Sequence, residues 1–118
     1  MIDKKEIRRQ YKETIQPMGV YQITNLANGK IFLESSKNLY AIFNRSLFQL
    51  RGGLHVSEGL QKDFKQYGES NFTFEVVDRL EPKEGLGYDY SRDLKALEEI
   101  WLEKLQPYGD KGYNNRKS

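Results

Sequence analysis

The chain has 118 residues, of which 37% are hydrophobic, with six Phe and eight Tyr but no Cys. That length suits a single domain around one core, and the lack of cysteine excludes disulfides and thiolate metal sites. The net charge of +2 is too small to argue for nucleic acid by itself, and no apolar run is long enough to span a membrane. Mean hydropathy is −0.80. The opening MIDKKEIRRQ has no apolar stretch after its charges and so does not read as a secretory signal; a cytoplasmic location is the default expectation.

Taken in order, residues 1–16 read as a charged helical extension with Asp3 as N-cap. Ile7, Tyr11 and Ile15 would dock it, and Pro17 ends it. Lys4, Lys5, Arg8, Arg9 and Lys12 form either a stripe that touches phosphates or a solvated face. Residues 19–36 organise the rest. Val20, Gln22 and Thr24 alternate with Tyr21, Ile23 and Asn25, and Ile31 and Leu33 alternate with Lys30, Phe32 and Glu34. Such alternation is the mark of strands. Asn28-Gly29 between them predicts a tight hairpin turn with positive φ angles.

A helix is expected over 38–51, stopped by Gly52-Gly53. Its apolar stripe is Leu39, Phe43, Leu47 and Leu50, and Phe48 on the other side calls for a covering element. The next helix, over 57–67, would supply that cover, with Leu60, Phe64 and Tyr67 inward and Gly68 as its stop. Residues 72–80 alternate as a third strand, 81–89 read as a loop, and a last helix covers 92–105. Leu94, Leu97, Trp101 and Leu105 make that helix's buried stripe; Glu98 lies on its border, with Glu99 and Glu103 pointing away. The tail from Gln106 is irregular. The sum is one α+β domain over 1–118, a small three-stranded antiparallel sheet flanked by helices.

Several motifs in order resemble the GIY-YIG nuclease family over about residues 17–115: Gly19-Val20-Tyr21, Asn28-Gly29-Lys30, Phe32-Leu33-Glu34 with the serines and Asn38 that follow, GGLH at 52–55, LQKDFKQYG at 60–68, FTFEVV at 72–77, LEEIWLEKL at 97–105, and Gly112-Tyr113-Asn114. The resemblance implies a small antiparallel sheet with flanking helices. It also implies hydrolysis of DNA, or of RNA, with Mg2+ or Mn2+. A phosphodiester gives way when a water loses a proton as it attacks, charge on phosphorus is neutralised and the departing oxygen is stabilised.

Carried over by position, Tyr21 is the tyrosine near the attacking water and Glu98 the metal-binding glutamate. Asn114 is an orienting asparagine, and His55 a histidine for phosphate contact or proton transfer. Lys30, across the turn from Tyr21, could assist it or meet nucleic acid. The chain departs from the family pattern at Phe32, which lacks the tyrosine hydroxyl, at Glu34, where the family has glycine, and at Ile42, where it has arginine. Arg45 is displaced from Ile42 by about 4.5 Å along the helix and about 60° around it, on the same flank, and is the substitute for the missing arginine. Glu34 either closes the site or holds metal. Each assigned residue also has a plain structural reading: Tyr21 at the core edge, Arg45 as a surface ion pair, His55 in a surface loop, Glu98 in a boundary salt bridge, Asn114 in a turn. Two functions follow, a weak or impaired metal-dependent endonuclease and a degraded domain that binds nucleic acid or a protein partner.

Overall fold

The computed structural model describes residues 16–83 and 87–115; the expected helix within 1–16 lies outside the described residues. β1 (Met18–Asn25) and β2 (Ile31–Ser36) pair antiparallel, Tyr21 opposite Glu34 and Ile23 opposite Phe32. The connection between them differs from the expected tight turn. It occupies residues 26–30, and among the described non-glycine residues only Gln106 has a positive φ, so Asn28 does not adopt one. The asparagines act through their side chains instead: Asn25 Oδ1 accepts from Ala27 N and Asn28 Oδ1 from Lys30 N, both at 2.9 Å. These Asx turns close a wider loop in which Gly29 alone takes φ 78°.

α1 (Leu39–Gly52) starts on Asn38, whose side chain accepts from Ala41 N, and stops at Gly53 in the left-handed region. α2 (Glu58–Tyr67) is capped by Ser57, which accepts from Leu60 N. β3 (Phe72–Leu80) pairs with β1 on the side away from β2, giving the order β2-β1-β3. The β1–β3 register shifts between Val20 and Tyr21. Just before that bulge, at Gly19, a Cβ would collide with the carbonyl oxygen of Asp78, and φ is 156°, so glycine is required there. α3 (Ser91–Leu105) follows the loop.

Tyr21, Ile23, Phe32 and Phe72 pack against Leu39, Leu50, Leu60 and Phe64 of α1 and α2. On the other face Met18 packs with Tyr90, Leu94 and Leu80, as the pleat of β1 requires. Two expected burials fail. Phe48 is 75% exposed and Tyr67 37%: α2 packs on the sheet-facing stripe of α1 through Leu60 and Phe64, so it never crosses the outer face where Phe48 stands. Among the described residues no helix is long and apolar enough to cross a membrane.

Candidate functional site

β2 is an edge strand, and its outer row of backbone groups needs partners. The tail supplies the first of them. Tyr113 N donates to Ile31 O at 2.8 Å, and Gly112 bridges Ile31 in parallel. Asn114 then clamps Leu33, accepting from its N–H at 2.9 Å and donating to its carbonyl at 2.7 Å. Glu98 of α3 continues the row, its Oε1 accepting from Ser35 N at 2.7 Å. The tail is irregular as expected, apart from a 3-10 turn over Gly109–Lys111 and the single bridge at Gly112, and both Glu98 and Asn114 satisfy the β2 edge.

Beside this edge lies a groove of about 960 Å³. Phe32, Glu34, Glu98 and Asn114 line it, and so do Glu99 and Glu103, which the helix periodicity had placed pointing away. They face the groove because the tail and the segment from Val56 to Gly59 wall it on the solvent side of α3. The lining is acidic: Glu58 joins the four glutamates already named, and no lysine or arginine contributes.

Tyr21 reaches the groove only through Glu34. Its side chain is 1% exposed, and its hydroxyl donates to Glu34 Oε1 at 2.9 Å. Burial, and after it the Glu34 charge, hold the phenol far above its ordinary ionisation range. At neutral pH Tyr21 therefore keeps its proton in this arrangement. The Glu34 carboxyl is itself pushed up, chiefly by burial and also by the Glu98 charge, while the Tyr21 hydrogen bond and the Arg45 charge oppose the rise. Arg45 stands exposed on α1 with its charge felt at Glu34, and Ile42, at the family's arginine position, packs against the core.

His55 is not the surface histidine of the loop reading. It is 8% exposed, edge-on to Phe32 at 5.3 Å. Its Nδ1 accepts from Ser57 N at 3.0 Å, which puts the proton of a neutral ring on Nε2. Burial lowers its pKa, so the ring is uncharged near neutral pH. Lys30 does not line the groove; its Nζ lies 5.8 Å from the centroid of the Tyr113 ring, which does. The sequence reading missed the Tyr113 network altogether: the Tyr113 hydroxyl donates to Asp63 Oδ2 at 2.7 Å and accepts from the buried Asn25 amide at 3.1 Å. Burial and the Asp63 bond push this phenol up to about 12.

Among the described residues no group of three or more His, Cys, Asp or Glu side chains is placed to hold a metal. One Glu98 oxygen is committed to Ser35, which leaves Oε2. A single carboxylate oxygen fits a cation such as Mg2+ that keeps most of its waters and takes further ligands from phosphate.

A three-stranded antiparallel sheet between α1 and α2 on one face and α3 on the other matches the fold of an intron-endonuclease catalytic domain. Two solved structures carry the comparison. The catalytic domain of homing endonuclease I-TevI superposes with a TM-score of 0.68 at 27% identity, covering 85% of this chain and 99% of that one. An alanine variant of the same catalytic domain gives 0.69 at 26% identity, covering 84% and 93%. In sequence, the chain is 29% identical over 97 residues to intron-associated endonuclease 1 of Enterobacteria phage T4, spanning 81% of this chain and 36% of that protein. No protein-family model matches the chain.

Proposed function

We propose that this chain is a GIY-YIG-like endonuclease domain that hydrolyses DNA phosphodiesters with Mg2+ or Mn2+, weakly. The observation that carries the reading is that Glu34 and Glu98 line one groove, with the buried Tyr21 hydroxyl bonded to Glu34 behind it, on a fold shared with the I-TevI catalytic domain. Glu98 would hold the cation through Oε2. When bound, a divalent cation stabilises charge on the departing oxygen.

The chain's own residues set the limits. Phe32 has no hydroxyl to offer the water or the phosphate. Ile42 cannot neutralise phosphate charge, so that task passes to Arg45, whose charge is already drawn to Glu34. Glu34 adds a carboxylate where the phosphate would lie. Asn114 fixes β2 against the tail, Lys30 offers a cation to the nucleic-acid backbone, and His55 takes part as a neutral imidazole through Nε2–H. The loss of one preorganised charge-stabilising donor costs about a hundred- to a thousandfold in rate. DNA is the substrate favoured by the likeness to intron endonucleases, with RNA the alternative, and the cytoplasm is the setting.

The captured Tyr21 hydroxyl also favours a second reading, a degraded domain that binds nucleic acid or a protein without cutting. The test is incubation of excess protein with end-labelled single- and double-stranded DNA in Mg2+ or Mn2+, with Glu98→Ala as control. Slow cleavage absent from the control is expected. Binding with no cleavage in either metal would replace the nuclease reading by the second one.

A further inference from the structure

We propose that Glu34, rather than Tyr21, is the catalytic residue that accepts the proton of the attacking water. The inference rests on the nuclease reading above and deepens it. Glu34 stands between Tyr21 and the groove: it lines the groove wall, whereas the Tyr21 side chain is sealed behind it and spends its hydroxyl proton on Glu34 Oε1 at 2.9 Å. The bond fixes the carboxylate. A rigid phenol under the core holds Oε1, so Oε2 is the oxygen turned to incoming water, and no hydrogen-bond donor among the described residues engages it. Tyr21 becomes a positioning residue. The charged groups that act on Glu34 are Glu98 of α3 and Arg45 of α1, one of each sign. Of the two, Arg45 favours the ionised carboxylate and Glu98 opposes it.

In the step itself the water oxygen forms a bond to phosphorus as one water proton moves to Glu34 Oε2. The bond from phosphorus to the bridging sugar oxygen breaks, that oxygen leaves with the electron pair, and it takes a proton from solvent. The products are a phosphomonoester end and a sugar hydroxyl. Glu34 then returns its proton to solvent.

The two roles open to Glu34 predict opposite results for Glu34→Gln. The amide keeps the shape and still accepts from Tyr21, but it takes no proton. If Glu34 only obstructs, removing its charge leaves cleavage unchanged or faster. If it is the proton acceptor, cleavage falls by about a hundredfold or more. The experiment measures single-turnover cleavage of labelled DNA by excess wild-type, Glu34→Gln and Glu34→Ala protein in Mn2+, with circular dichroism to confirm the fold. Sodium formate is added to Glu34→Ala as a replacement carboxylate. Loss in Glu34→Gln with formate-dependent recovery in Glu34→Ala is expected, and a merely structural role would give no such recovery. Cleavage by Glu34→Gln at or above the wild-type rate would overturn the assignment while the nuclease reading stood. A wild-type chain that does not cut would overturn both.

Discussion

Burial and the neighbouring Glu98 charge make an ionised Glu34 costly in the folded chain. The folded state binds that proton more tightly than the unfolded state does. The group's contribution to stability is therefore complete below the ordinary glutamate range and is lost as pH climbs through the raised value. Glu34→Gln removes that loss, so its urea midpoint should exceed the wild-type value at pH 7, and the gap should close toward pH 4. A gap independent of pH would mean that Glu34 is not strained. Glu98 separates two roles in the same manner. Glu98→Gln keeps an acceptor for Ser35 N, so the β2 edge remains satisfied, yet it lacks the charge a hard cation requires. Weak Mn2+ binding, followed by water-proton relaxation, should disappear in this variant with its thermal stability little changed. Equal Mn2+ binding by both proteins would remove Glu98 from the metal site. Neither bond was legible in the sequence: Tyr21–Glu34 depends on the register that the wider hairpin loop sets, and Ser35–Glu98 joins residues far apart along the chain.

At the scale of elements, the strands and helices lie close to where periodicity put them, since local side-chain repeats and caps such as Asn38 and Ser57 act over a few residues. The joints between elements depend on contacts that periodicity does not carry. Gly19 matches a family glycine, but its reason is the β1–β3 bulge. Gly19→Ala should destabilise the fold by about 3 kcal/mol or more, by collision with Asp78 and an unfavourable φ; urea denaturation would measure it. Tyr113 ties the tail to the first hairpin loop and to α2 through Asn25 and Asp63. Tyr113→Phe leaves the fully buried Asn25 amide short of a partner, at a cost of about 1–3 kcal/mol. An unchanged thermal midpoint would show the tail to be held by Gly112 and Asn114 alone. Phe48, by contrast, stands on an uncovered helix face, so Phe48→Ser should alter stability by no more than about 0.5 kcal/mol.

For the whole molecule, the nuclease reading puts Ile42, in place of an arginine, and Glu34 beside the same phosphate. The double substitution Glu34→Gly with Ile42→Arg should free the Tyr21 hydroxyl, add a cation to α1 and raise cleavage well above the wild-type level. It does so by a different route from the Glu34-dependent residual reaction, with the freed Tyr21 hydroxyl rather than a carboxylate beside the water. Strong cutting by the wild-type chain, abolished by Arg45→Ala, would instead show that the shifted arginine compensates. No gain in a folded double variant would place the damage elsewhere, with Phe32 the next residue to restore.

The amino-acid sequence by itself determined the order and extent of the elements, the α+β class and the buried stripe of α1. Each follows from repeats of two or about 3.6 residues that bury one face. It also marked Phe32, Glu34 and Ile42 as departures from the family pattern the chain resembles, because these can be read position by position. Only the tertiary structure decided what the departures do. The β1–β2 register sets Glu34 opposite Tyr21, the sealing of Tyr21 behind it removes the phenol from solvent, and the tail docked on β2 turns Glu99 and Glu103 into groove lining. Those outcomes depend on which strand pairs with which residue and on what covers an edge, and long-range packing settles both.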